Sequence, residues 1–402
     1  MKSFKVFWRR LGLAAVLALG FGTGGVSHAQ ATIAASPTSI SGTAERLISY
    51  RHQNHMWQTP DGATHLLANI GVQPGGGSLR MYTSVDNGVT WVAGLLLAGT
   101  DDTATSDGFV VGNSLFVTYS TARGGIGFAQ LAYDPVANGW TLTSTESAFQ
   151  STSVLAINPA MARDSAGRYW LAFTSQQRST GMNSIRMLRR SSATSGWVNT
   201  GFTFGVVDNL SIERSARPVV VAGGVAMVYT VHKETFWARR TDSAPLNQPW
   251  TTSLIYTNLG TDTDPFGSHY SVAVDTQNNV HLAMVDGGKL LYLRLRSGAT
   301  AWTKRTMTGA VKANYVQAST SAGSVVLVTN ANSLLWVYQS IDAGNTWRKT
   351  HILTHDAGTD TISYDRPRME IPTDSLSPIP LVQQYTDGTQ ERALGFQVPV
   401  VR

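Results

Sequence analysis

Six tryptophans, Trp91, Trp140, Trp197, Trp250, Trp302 and Trp347, recur at intervals of 49, 57, 53, 52 and 45 residues. A period of that size calls for an architecture built from repeated small units, each too small to bury its apolar face alone. Two of the tryptophans close nearly identical strings, Ser84-Val85-Asp86-Asn87-Gly88-Val89-Thr90-Trp91 and Ser340-Ile341-Asp342-Ala343-Gly344-Asn345-Thr346-Trp347. Each string reads as a hairpin turn. The Asp accepts backbone N–H bonds, the Gly takes the left-handed conformation, and the Trp opens the next strand and packs between neighbouring sheets.

A second repeating element runs ahead of each Trp. Apolar, strand-like segments stand at His65–Ile70, Leu115–Tyr119, Tyr169–Thr174, Ala226–Val231, Val280–Val285, Val325–Thr329 and Leu381–Tyr385, spaced 50, 54, 57, 54, 45 and 56 residues apart. Turn signals such as Pro60-Asp61-Gly62 precede several of them, as expected for a hairpin between the first two strands of a unit. Helical periodicity is almost absent. The pattern resembles the Asp box of sialidase-like β-propellers, with degenerate counterparts at Tyr133–Trp140 and Arg190–Trp197.

The expected fold is therefore all-β: one propeller of seven blades with four antiparallel strands each, a six-bladed ring being the alternative. The seventh blade needs a strand from the other end of the chain, expected around Ile40–Tyr50, which leaves no open sheet edge. No linker or composition shift divides residues 30–402.

Met1 to Ala29 read as a removable export signal: Lys2, Lys5, Arg9 and Arg10, an apolar run from Leu11, then Ser27-His28-Ala29. Arg9-Arg10-Leu11 loosely resembles a twin-arginine signal, although paired basic residues are ordinary in general secretory signals too. Secretion or a periplasmic location follows. Taking off those four cations lowers the formal charge from +6 to +2, so the high overall pI is no argument for a polyanion partner. Beyond residue 29 there are 22 Arg against 5 Lys, and Arg is the better fork for a carboxylate. With no cysteine, disulfides and thiolate metal sites are excluded, and core burial alone must hold the chain. No second apolar run reaches membrane-span length. No phosphate-binding glycine loop and no basic–aromatic interleaving point to nucleotides or nucleic acid. A monomer that uses no cofactor is expected, with Ca²⁺ in a surface turn left open.

In a propeller, the turns joining strands one to two and three to four share one face; the other connections lie on the opposite face. On that second face the inner strands begin, and loops converge on one concavity. The residues expected there are Arg51, His52 and His55, then Arg214 and Arg217, His269 and Tyr270, Tyr315, and Arg366 and Arg368, with His232 at the end of a second strand. Arg, His and Tyr are the set needed to hold an anion and move a proton. The His52/His55 spacing is a weak metal signal, for no third ligand has a supporting position.

The resemblance itself is specific for fold and poor for reaction. True sialidases carry an Arg-Ile-Pro segment, three arginines, an acidic acid/base and a Tyr/Glu pair; here His52-Gln53 follows Arg51, and Glu213 is the inward carboxylate. Propeller polysaccharide lyases resemble this inventory better. Removing the proton beside a uronate carboxylate requires stabilising the enolate, which Arg supplies, and a His or Tyr base. The expectation is a carbohydrate-active enzyme cutting an acidic, uronate-containing glycan by β-elimination. In it Arg217 and Arg366 bind the carboxylate, His55 or His269 is the base and Tyr270 or Tyr315 the acid. Arg51, His52, Arg214, His232 and Arg368 contact flanking sugars. A sialidase-like exo-glycosidase and a non-catalytic lectin are the alternatives.

Overall fold

The computed structural model describes residues 31–48, 50–207, 215–258, 270–321 except 312–315, 323–331, 334–354 and 368–401. The expected signal segment, Met1 to Ala29, lies outside them.

Seven four-stranded antiparallel units form the ring, and all seven anticipated segments are second strands. The blade 1 strands are Met56–Gln58, Thr64–Gln73, Gly77–Ser84 and Val92–Ala98, and the pattern repeats through blade 6, which ends at Arg348–Thr354. Blade 7 contains Arg368–Glu370, Ile379–Thr386 and Glu391–Val398. Its fourth strand is Ser36–Gly42, antiparallel to Glu391–Val398. Closure by the N-terminal segment is thus as expected, but the strand lies earlier than Ile40–Tyr50. Ala31–Ala34 adds an unanticipated fifth strand to blade 6, parallel to its outer strand. Twelve residues therefore clasp two blades.

The reason the ring holds is visible in its burial. There are seven apolar clusters, each shared by two adjacent blades. Between blades 6 and 7, for example, Val326, Val328 and Val337 meet Met369, Leu381 and Phe396. One face of every sheet packs on the previous blade and the other on the next, so each blade contributes to two cores and no blade has a free face.

The two Asp-containing strings fold alike. Asp86 Oδ1 accepts from the backbone N–H of Thr90 at 2.8 Å and its Oδ2 from the Thr90 hydroxyl at 2.6 Å; Asp342 and Thr346 repeat this at 2.8 and 2.7 Å. Ser84 and Ser340 hydroxyls accept the N–H of Gly88 and Gly344, and Trp91 and Trp347 donate to those glycines' carbonyls. The hydrogen bonds to Asp342 hold its carboxyl down at about 2.

Gly88 and Gly344 both have positive φ, 88° and 82°. They differ in surroundings. A Cβ at Gly344 would meet the Tyr292 hydroxyl at 1.8 Å, whereas one at Gly88 meets Pro380 Cβ at 3.2 Å. We expect Gly88→Ala to cost about 1 kcal/mol through φ alone, and Gly344→Ala about 2–4 kcal/mol because strain and overpacking combine. Urea unfolding of the two variants checks the order; equal losses would show that the Tyr292 contact relaxes freely.

Candidate functional site

Four inner strands begin around the axis with a polar residue near their first position: Asp107 in Ser106–Val111, Arg217 in Ala216–Val221, Tyr270 in Tyr270–Val274 and Glu370 in Arg368–Glu370. Across them runs Tyr50 to His55. This segment is not a strand, and His52, Gln53, Asn54 and His55 are buried despite their polarity. It is a plug. Gln53 Nε2 donates to the Pro159 carbonyl of blade 3 at 2.7 Å, and the Asn54 N–H donates to Asp107 Oδ1 of blade 2 at 2.6 Å. Asn54 Nδ2 reaches Thr373 in blade 7 at 3.3 Å. Gln53 and Asn54 thus take their partners from blades 2, 3 and 7.

His55 lies at the end of the plug, 1% exposed. Its Nδ1 is 3.0 Å from Glu370 Oε2, and its backbone N–H donates to Glu370 Oε1 at 3.3 Å. Glu370 is fully buried; burial raises its pKa, opposed by His55. With Nδ1 committed to the carboxylate, the remaining nitrogen, Nε2, is the one that can take a proton. That Nε2 is buried with no hydrogen-bond partner.

His52 is 2% exposed and stacks between Tyr50 and Tyr270, with ring centroids 5.9 and 5.7 Å away at 30° to each. Neither of its nitrogens has a hydrogen-bond partner. Burial, then the charge of Arg217, then His55 and Arg51, lower its pKa to about 3, so the ring is neutral at neutral pH. Arg217 is bound to Asp107, whose Oδ2 also accepts the Met161 N–H at 2.7 Å. Asp107 therefore serves the plug, blade 3 and blade 4 together.

The structure brings His52, His55, Arg217 and Tyr270 into this cluster, with Arg51 close enough to act on His52 electrostatically. Arg51 is half-buried. Tyr270 is fully buried and its hydroxyl donates to the Val228 carbonyl at 3.2 Å, while burial raises its pKa; it packs against His52 and its proton is engaged. Arg368 stands aside, half-buried, with Nη1 donating to the Ile48 carbonyl at 3.4 Å. His232 is not in the cluster: it occupies an exposed turn between the second and third strands of blade 4, at φ 53°. Glu213, Arg214, His269, Tyr315 and Arg366 lie outside the described residues.

Asp107 and Glu370 were not among the expected residues. A signal existed: Asp107 precedes the second strand of blade 2 by 8 residues, as Arg217 precedes that of blade 4 by 9. His65 packs between blades 1 and 2, against Tyr133 and Trp140, whereas His281 bonds within blade 5. His65 Nδ1 lies 2.9 Å from the Trp140 indole nitrogen, and His281 bridges Asp275 and Tyr292 at 2.9 and 2.7 Å.

No protein-family model matches this sequence, and no curated protein matches it. Solved structures do match in shape. A triple arginine-to-alanine mutant of AofleA from Arthrobotrys oligospora gives a TM-score of 0.51 at 11% identity, over 78% of this chain and 88% of that one. Trypanosoma rangeli sialidase in complex with the inhibitor DANA gives 0.50 at 9% identity, over 90% of this chain and 57% of that one. Penicillium chrysogenum α-L-arabinanase complexed with arabinobiose gives 0.46 at 12%, over 78% and 98%. The shared fold is that of a β-propeller, here with seven blades. At such identities the fold is what is shared.

Two measurements probe the cluster. Arg217→Met leaves the Asp107 carboxylate buried and without its cation, and should cost about 3–5 kcal/mol in urea unfolding; a loss below about 1 kcal/mol would mean that the pair is solvated. Acidification tests the neutral imidazoles. His52 and His65 have folded pKa values of about 3 and about 4, below the ordinary 6.5. Their unfolded forms bind protons first, so stability is full above 6.5 and declines as pH falls toward 4. His52→Phe should make that decline shallower; an unchanged slope would place His52 in water.

Proposed function

We propose that this protein is an exported glycan-cleaving propeller that acts on uronate-containing chains by β-elimination, with His55 as the base. The observation that carries the reading is the His55–Glu370 pair: a buried carboxylate fixes one imidazole nitrogen and leaves the other, Nε2, unpartnered at the axis. Two carboxylates also stand at the axis, as a hydrolase would need. Both are occupied, Asp107 by Arg217 and two backbone N–H groups and Glu370 by both donors of His55. Among the described residues of the cluster, the atoms left to accept a proton are imidazole nitrogens.

In the proposed reaction, His55 Nε2 takes the proton from the carbon beside the uronate carboxylate. Charge developing on that carboxylate is stabilised by the half-buried Arg51 and by the field of Arg217. The bond to the leaving oxygen breaks as the carbon–carbon double bond forms, and solvent supplies that oxygen's proton. His52, neutral, is a hydrogen-bonding partner for the sugar. Arg366, His269 and Tyr315 keep their proposed roles in binding the carboxylate and in proton transfer. Because His52 and His55 are buried, the proposed reaction requires that the segments covering them move aside for a sugar.

The test is a panel of acidic polysaccharides read both by near-ultraviolet absorbance and by reducing ends. An unsaturated product is expected, with His55→Gln slower by at least about 100-fold. Glu370→Gln, a positioning change, should lower kcat and shift the pH profile while leaving KM close to wild type. Saturated reducing ends would replace elimination by hydrolysis, and binding without cleavage would leave a lectin.

A further inference from the structure

The opposite face of the ring carries a second concavity. Strand-one-to-two turns lie there, and two adjoining cavities of about 540 and 320 Å³ open among them, sharing Asn54, Phe109, Val110, Thr373 and Asp374. The larger is in the range of small-ligand sites, about 300–1,000 Å³. It lies between blades 1, 2 and 7; its inner end is Asn54 of the plug, and the smaller cavity beside it reaches Arg163 and Arg217, while neither lining includes an imidazole.

Its chemistry also differs. Met56, Trp57, Phe109 and Leu376 give it apolar and aromatic walls, while Asp374 and Ser375 supply acceptors. Ser375 is 7% exposed and its hydroxyl is buried with no hydrogen-bond partner. An orphaned hydroxyl of that kind costs about 1–3 kcal/mol unless something meets it. Asp374 is exposed and, among the described residues, forms no ion pair. No Lys, Arg or His among the described residues lines the larger cavity.

We infer that the larger of these cavities is a binding site for an uncharged saccharide, on the side of the plug away from the two histidine rings, which do not line it. The partly exposed Phe109 ring and the exposed Leu376 suit the C–H face of a pyranose, and sugar hydroxyls are donors for the remaining lone pairs of the exposed Asp374 carboxylate and for the orphaned Ser375 hydroxyl. In the larger cavity a uronate is disfavoured, since its carboxylate would face Asp374, and the arginines nearby, Arg163 and Arg217, line only the smaller cavity. The inference does not depend on elimination at the other face.

Calorimetric titration of the mature chain with maltotriose, cellotriose, xylotriose and galacturonate trimer tests it. Saturable binding of at least one neutral trisaccharide is expected, uncompeted by the galacturonate trimer. Asp374→Ala should weaken it at least about tenfold, the loss of one charge-assisted hydrogen bond. Leu376→Trp, at an exposed position on the rim, should block it while the thermal unfolding midpoint stays near wild type. The site is overturned if no neutral trisaccharide binds at millimolar concentration, if both variants bind as wild type does, or if tetramethylammonium alone binds.

Discussion

A single carboxylate connects the parts of this molecule that are farthest apart in sequence. Asp107 accepts the Asn54 N–H, the Met161 N–H and the Arg217 guanidinium, so a plug and three blades meet on two oxygen atoms. A propeller's inner strands do not hydrogen-bond to one another across the axis; their polar ends must find water or something placed between them. Here the Tyr50 to His55 segment is placed between them. Once it is there, its own backbone and side chains need partners, and Asp107, Pro159, Glu370 and Thr373 supply them. The seven apolar clusters make the ring; these bonds give it a centre.

The same arrangement explains why the axial groups have the properties they do. An arginine taken out of water needs a carboxylate, and Asp107 meets Arg217. That pair leaves His52 beside a fixed cation in a dry setting, which is what lowers its pKa and keeps it neutral. Glu370 sits in the same low-dielectric region near Asp107, and the neighbouring negative charge raises its pKa further. Its bond to His55 is the compensation. Position, charge state and tautomer are therefore set by one network and cannot be varied separately.

Much of this was legible in the sequence, and the failures have physical causes. Second strands were readable because burial on both faces makes them continuous apolar runs, as in Val325–Thr329. Closure was readable from the missing strand, but its position was not. Leu47 and Ile48 look like strand residues, yet they are buried between blades 7 and 1 outside any strand, while the weakly apolar Ser36–Gly42 makes the ladder. The apolar residues were drawn to a core, and the edge position asked only for backbone pairing. Arg217, His52 and His55 stood out as polar residues where an inner strand should begin. Asp107 and Glu370 did not, because their partners are 53 and 315 residues away and no local spacing records such a pairing. The plug was invisible for the same reason.

The unpaired nitrogens carry the last step. A core that needed only stability would satisfy His52 and His55 Nε2, or replace the rings with apolar ones of similar size, since each orphaned group costs about 1–3 kcal/mol. The surrounding network shows that the fold can satisfy polar groups here: Gln53, Asn54, Asp107 and Glu370 all have partners. What remains unpaired beside the plug is both nitrogens of His52, Nε2 of His55 and the Ser106 hydroxyl, and of these imidazole is the group that exchanges protons most readily. Those atoms also sit where strands from different blades converge, so that a ligand there would touch several blades at once. On the proposed reading a structural centre and a reactive one have the same address, and the unpaired rings are the observation that reading rests on.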